Sequence, residues 1–432
     1  MAVIERVGVL APLRHRDYRL LACAQLVSLA GDGFFRVAIG VQVLLVSNDA
    51  GAVAVVAIAW AGGLIASLPF GGWASDRFER RRVMIAADLW RAAMMGAIGW
   101  LSVTGQLELW QLLTLGALFG FGNGFFNPAA TSLVPQLLPD ADLPRANAFL
   151  GVARPGMIFI LGPLLGGGVV AVTGAGMALL LDAVTFLVSA ALLLRVRRQP
   201  AASEATGSMR ETFRAIAAGL RFVARTNWAW PWLLGSSIGT LAFHGPFDVL
   251  LPYLLFNELA MAEGEVARTI SLVLAAGGLG SVIVSTVIGQ RDLPRRFVTV
   301  MYLCEAGAVA SLAILGLMTA TWHGIVAGAL VFTLFAVSEI IWTTTMQRLV
   351  PSELLGRVSS VDWFANISLA PASFGVAWLF DELLGPRGGL IAAAAVGAGV
   401  LLVLLSVPGT RQPERMSRAR GDAVSGPHSD EA

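Results

Sequence analysis

The sequence predicts an all-α membrane protein with twelve transmembrane helices in two pseudo-symmetric six-helix bundles. Three observations carry this expectation. Hydrophobic residues fill 56% of the 432 positions and charged residues only 13%, whereas a soluble domain carries about 25% charge. Twelve segments are apolar over roughly the 20 residues that a helix needs to cross a bilayer. The chain also resembles itself at an offset of 212 residues: "LAGDGFF" at 29–35 aligns with "LAFHGPF" at 241–247, and "PDADLPR" at 139–145 with "PSELLGR" at 351–357. Two matches at one offset divide the chain into two similar six-span halves, the arrangement of secondary transporters that work around a central site.

The apolar segments run over 20–46, 52–74, 83–104, 109–133, 146–173, 177–194, 232–256, 267–289, 297–319, 323–346, 358–380 and 388–407. The first is too long for a signal peptide and lacks a small-residue cleavage site, so it reads as a spanning helix. All 30 Lys+Arg positions are arginine, and they concentrate in the N-terminus, the tail and the loops sharing their side. Of the opposite loops' basic residues only Arg268 and Arg387 remain, beside Asp49, Glu108, Glu258, Glu263, Glu265, Asp381 and Glu382. The positive-inside rule therefore places both termini in the cytoplasm, the orientation expected in a bacterial inner membrane.

Domain limits follow. Residues 1–19 form a cytoplasmic N-terminus, 20–194 and 229–407 the two halves, 195–228 a linker, and 408–432 a polar tail expected to be disordered. Within the linker, Phe213, Ile216, Leu220 and Val223 share one helical face and arginines the other, the pattern of a helix lying on a membrane surface. Cys23 and Cys304 read as small buried hydrophobes. Net charge is +2, and nothing points to nucleic acid. No phosphate-binding Gly-Lys-Ser/Thr loop, zinc-helix motif or nucleophile elbow is present, so the chain reads as no enzyme, with neither cofactor nor metal.

Charges inside the spans cost about 2.5–3.5 kcal/mol each near mid-membrane, and each is a functional hypothesis. Asp32 lies about 12 residues into the first span, roughly 18 Å along its axis. Arg36 stands one turn further on the same face, and the repeat pairs Asp32 with His244 and Arg36 with Asp248. Either Asp32 neutralises Arg36 within its own helix, or it is a protonation site tuned by Arg36 and His244. Arg36 and Asp248 are candidates for an outer gate. Glu305 and Glu339 are deep, without a basic neighbour on their own helices, and are candidates for proton coupling or cation recognition. Asp88 and Arg91 read as a structural pair, and Arg154 and Asp362 as residues near cytoplasmic ends that snorkel or cap. Phe34, Phe35, Phe125, Phe126, Phe247 and Trp342 are candidate cavity aromatics.

Between the second and third spans, "GGWASDRFERRRVM" at 71–84 resembles the loop signature of the major facilitator superfamily. The matching positions are Gly72, Asp76, Arg77, Arg80 and Arg81; Glu79 departs from the pattern, where the family usually has a second glycine. The resemblance implies a gating loop with Asp76 as a latch between halves; the bland reading is a positive-inside anchor. "GPLLGG" at 162–167 resembles the family's glycine-proline motif of exchanging exporters, with Gly162, Pro163, Gly166 and Gly167; ordinary small-residue packing is the alternative. "FFNPAATSLVPQLLPDADLPRANAF", "LLDAVTFLVSAALLLRVR" and "MQRLVPSELLGRVSS" are similar to the superfamily's twelve-span drug and siderophore exporters, the branch of macrolide-efflux and enterobactin-export proteins. That branch implies a monomeric, proton-coupled antiporter exporting an amphiphilic small molecule, with lipids and protons as its other partners. Two other readings stay open: a lipid or lysolipid flippase on the same fold, and a non-transporting membrane sensor or assembly protein.

Overall fold

The computed structural model describes residues 8–197, 209–288 and 293–416. Side chains of 8, 9, 76, 209–216, 352 and 353 lie outside that description. The described residues are helical with no strand, as a chain immersed in lipid requires when every backbone amide must find its partner within its own segment.

Twelve spans are present among the described residues. Helices α1 (Arg16–Ser47), α2 (Ala50–Arg77), α3 (Arg80–Val103) and α4 (Leu109–Leu137) are single helices. Helix α5 covers 143–173, with a wide π turn at Gly156–Leu161 just before Pro163. Proline has no amide to donate to the carbonyl one turn back, and the widened turn absorbs the lost bond. Helix α6 is Ala175–Leu194. In the second half α7 spans Ala229–Glu258, α8 Glu263–Ile288, α9 Phe297–Gly316 and α10 Thr321–Leu349. The last stretch, Ser352–Ser368 and Ala370–Ser406, divides at Gly385, whose φ of 68° favours glycine and which precedes Pro386. Helix α11 is therefore 352–384 and α12 386–406. A linker helix, Met209–Arg225, joins the halves.

Packing repeats between the halves. Helix α2 packs on α4, α3 on α4 and α6, and α1 on α5 and α6; in the second half α8 packs on α10, α9 on α10, and α7 on the stretch that forms α11 and α12. Between halves the pairs are α5 with α8 and α2 with α11, the same pair under the repeat. Small residues make the helix seams close: within the first half a Cβ on Gly33 would reach the Gly162 Cα at 2.6 Å and one on Gly166 the Phe34 Cα at 2.7 Å, and between the halves one on Gly167 would overlap Ser271 of α8.

Two details differ from the sequence reading. Cys23 is exposed on its helix and Cys304 half-buried. The tail is folded as far as residue 416, because Glu414, buried to 4% exposure, accepts hydrogen bonds from the Thr299 amide at 2.7 Å and its hydroxyl at 3.4 Å. The side chain thereby caps the first turn of α9. Residues 417–432 lie outside the described residues, as do the side chains of Phe213 and Ile216 of the proposed surface face; Leu220 is exposed and Val223 buried.

Candidate functional site

A cavity of about 560 Å³ lies between the halves. Its N-terminal wall comes from α1 (Asp32, Phe35, Arg36), α3 (Arg91), α4 (Asn123, Phe126, Asn127) and α5 (Arg154), and its other wall from α7 (His244, Phe247, Asp248) and α11 (Trp363, Asn366). Helix α7 is irregular where it lines the cavity, since Pro246 and Pro252 interrupt its amides and Asp248 sits in a π turn at Pro246–Leu250.

Of the two repeat-related pairs only Arg36 and Asp248 meet; Asp32 and His244 both line the cavity without a bond between them among the described residues. Arg36 Nη2 lies 3.9 Å from Asp248 Oδ1 across the halves, and His244 Nδ1 3.7 Å from Asp248 Oδ2 along α7. The Arg36 guanidinium also sits 5.2 Å from the Phe159 ring centroid. Asp32 lines the cavity and makes no hydrogen bond or ion pair among the described residues.

Every hydrogen bond or ion pair between halves among the described residues lies at mid-span or toward the end remote from the termini. Glu263 Oε1 accepts from the Ala175 amide at 2.6 Å and Ser271 donates to the Pro163 carbonyl at 2.7 Å, in addition to Arg36–Asp248. Gly51 packs on Trp378 at the same end. Toward the termini no such bond joins the halves among the described residues, and Asn127 and Trp363 on the cavity rim are exposed. The cavity is closed at the remote end and accessible from the terminal one.

Behind the first wall lies a charged layer. Arg91, 3% exposed, is ion-paired to Asp88, 0% exposed, which also accepts from Ser189 at 2.6 Å. Arg91 further donates to Asn123 at 3.3 Å and lies 4.4 and 4.3 Å from the ring centroids of Phe126 and Phe186. The Asp88–Arg91 pair thus has the structural environment the sequence suggests, yet its arginine also reaches the cavity. Arg154 and Asp362, by contrast, do not snorkel: Arg154 lines the cavity and donates to Asn127 at 3.2 Å, while Asp362 accepts from Trp342 at 3.1 Å. Both are drawn inward because polar partners stand on facing helices.

The structure does not bring Glu305 or Glu339 to the cavity wall. Glu305 is buried in the second half, where a Cβ on Gly239 of α7 would approach its Oε1 to 3.1 Å. Glu339 is exposed and accepts from Thr343 at 3.3 Å. Of the aromatics, Phe35, Phe126 and Phe247 line the cavity, whereas Phe34 packs on Gly166 and Trp342 is buried against Asp362. Sequence reasoning passes over Asp182 of α6, 0% exposed. A lone acid inside an apolar span was the available signal.

The loop signature is held by backbone contacts. Arg80 donates to the Ser132 carbonyl at 3.0 Å and Arg81 to the Val196 carbonyl at 2.6 Å, while Glu79 pairs with Arg81 at 3.2 Å and Arg82 at 2.7 Å. Arg77 lies over Trp73 at 5.8 Å, and Gly72 faces open space. The Asp76 side chain lies outside the described residues. Nearby Asp142 takes Arg14 at 2.9 Å, His15 at 3.0 Å and Arg145 at 3.1 Å. Hydrogen bonding from His15, then from the two arginines, holds its carboxyl below the usual range.

Two repeat-related helical halves around a shared cavity define a multi-pass membrane transporter, not an enzyme. The chain belongs to the Major Facilitator Superfamily, whose profile matches residues 21–373. It is 27% identical to the enterobactin exporter EntS of Salmonella typhimurium (strain LT2) over 423 residues, covering 95% of this chain and 96% of that one. It is also 27% identical to EntS of Escherichia coli O1:K1 over 401 residues, 90% of each. Among solved structures, the nucleoside transporter NupG superposes with a TM-score of 0.69 at 11% identity, over 90% of this chain and 98% of that one. A bacterial homologue of the iron transporter ferroportin, in its inward-facing state, gives 0.68 at 16% identity, over 90% and 99%. At such identities the structures speak for the fold alone.

Proposed function

We propose that this chain is a secondary active exporter that takes an acidic, amphiphilic small molecule of the siderophore class from the cytoplasm and exchanges it for protons. The observation that carries the reading is the cavity itself, closed at one end by contacts from both halves and accessible at the end that bears the arginine-rich loops. Its volume suits a drug-sized ligand. Arg36 and Arg154 with Asn127 offer donors for acidic substituents, and Phe35, Phe247 and Trp363 offer apolar faces. The relatives that export enterobactin support the substrate class.

In this reading both termini are cytoplasmic and the protein acts as a monomer in the inner membrane. Asp32 exchanges the coupling proton with cavity water; Arg36 and Asp248 close the outer gate. The loop at Gly72, Asp76, Arg77, Arg80 and Arg81 steadies the outward-facing state, and Gly162, Pro163, Gly166 and Gly167 form the seam on which α5 moves against α1 and α8. Uptake of enterobactin into inside-out vesicles, with and without an imposed proton gradient, tests the function. Gradient-dependent uptake that Asp32→Asn abolishes is expected; uptake indifferent to both the gradient and the substitution would refute it.

A further inference from the structure

The layer behind the first wall contains more acid than its one arginine can balance. Asp88 already engages the Arg91 guanidinium and the Ser189 hydroxyl. Asp182 has no such guanidinium: it is 0% exposed, its Oδ1 accepts one long hydrogen bond from the Thr185 hydroxyl at 3.4 Å, and its Oδ2 is buried without a hydrogen-bond partner among the described residues. Its neighbour across the helix seam is Gly31 of α1, where a Cβ would overlap both Asp182 Oδ1 and Thr185 Oγ1. Only a glycine lets the α6 carboxyl come so close to the α1 backbone, and the next residue on α1 is Asp32, which lines the cavity. One carboxyl is thus sealed from water and the adjacent one is open to it.

We propose that Asp182 is the carboxyl that stores the coupling proton, exchanging it with the cavity through Asp32 on the other side of Gly31. The proposal rests on the proton-coupled reading above and moves the store from the cavity wall to the helix behind it. The charged groups that face the pair are Asp88 and Arg91 on α3, Arg36 on α1 and Arg154 on α5. Within the layer the buried Asp88 and Asp182 share the one buried guanidinium of Arg91, which leaves one carboxylate's charge unbalanced there, and a proton removes it. Neighbouring acids in such a layer share protons as a unit. The step is a plain transfer: the proton leaves the Asp32 carboxyl, which becomes the carboxylate, and bonds to the free Oδ2 of Asp182. Return to Asp32 releases it to whichever side the cavity then faces.

Infrared difference spectroscopy of the full-length protein in lipid, between acid and alkaline pH, reads the store without any substrate. The wild type is expected to show a carboxylic-acid C=O band that Asp182→Asn removes. Asp32→Asn is expected to keep that band while slowing its hydrogen–deuterium exchange at least tenfold. If Asp182→Asn does not fold, Asp182→Glu serves, and the band must move to the frequency of a glutamic acid. An acid band unchanged in the Asp182 variants, or exchange unaffected by Asp32→Asn, overturns the proposal. Enterobactin uptake by the same preparations separates the two readings: no gradient-driven uptake by the wild type defeats the proposed function, whereas full gradient-driven uptake by Asp182→Asn defeats only the store.

Discussion

Reversing the charges of Arg36 and Asp248 probes how the remote end is held shut. Their closest N···O distance is 3.9 Å, with 29% and 34% of the side chains exposed. Coulomb's law at an effective dielectric constant of about 20 puts a full pair at that distance near 4 kcal/mol. The separation exceeds hydrogen-bond range, and exposed pairs measure only about 0.2–1 kcal/mol. The pair is therefore worth about 1 kcal/mol to the closed end, roughly a fivefold bias. Arg36→Asp also sets a new carboxylate beside Asp248, raising the cost to about 2 kcal/mol, roughly a thirtyfold shift. Asp248→Arg acts in the same direction, and the double reversal returns the balance to within about 0.5 kcal/mol of the wild type. Spin labels on cysteines at Asn48 and Glu382, both exposed and on opposite halves, report the opening by pulsed electron resonance once Cys23 and Cys304 are replaced. Single reversals that leave the distance distribution unchanged, or a double reversal whose effects simply add, would refute direct pairing.

Other substitutions test the seams and caps. Glu263→Ala removes the acceptor of the Ala175 amide at the closed end and is expected to shift the same spin-label distances toward opening, by about 1 kcal/mol. Gly33→Ala forces a Cβ against Gly162 and Pro163, costing about 1–3 kcal/mol in thermal unfolding in detergent, whereas Gly72→Ala meets nothing within 4 Å and should leave the melting temperature unchanged or slightly raised. Glu414→Ala uncaps α9 and should lower stability by about 1 kcal/mol on the same assay. Acid weakens the Asp142 anchor: its carboxyl titrates below the usual range when folded, so its contribution is complete above the unfolded value near 3.9 and is lost as pH falls through the depressed one. Hydrogen exchange of residues 8–16 should rise in that window and stay flat at neutral pH.

Most of the fold is legible in the sequence because lipid imposes a length and a polarity on every span. The expected 109–133, 177–194 and 297–319 overlie α4, α6 and α9, with ends displaced by a few residues. The cross-halves meeting of Arg36 and Asp248 is likewise legible, because a repeat places equivalent residues on facing helices. Contacts that depend on rotation about a helix axis are not. Glu305 and Asp32 are both single acids in apolar spans, yet one turns to Gly239 inside its own half and the other to the cavity. Glu414 illustrates a different limit: it caps α9 from a polar segment whose composition alone says disorder.

The span that composition reads least well is the one that explains the site. Among the described residues ten helices are long and apolar enough to cross a membrane, and Leu354–Ser406 counts as one of them although Gly385 divides it. Helix α3 is missing because Arg80, Arg81, Arg82, Asp88 and Arg91 dilute it. An isolated helix with Asp88 and Arg91 at its centre is costly to insert; packed against α4 and α6, it finds Asn123, Ser189 and two aromatic faces waiting for those charges. The first half therefore carries a polar layer that neither stability nor solubility demands, since apolar residues of similar volume would pack there at less cost. Its retention makes sense if the layer works, and two buried carboxyls sharing one arginine beside a cavity acid are suited above all to changing their proton content when the cavity changes sides.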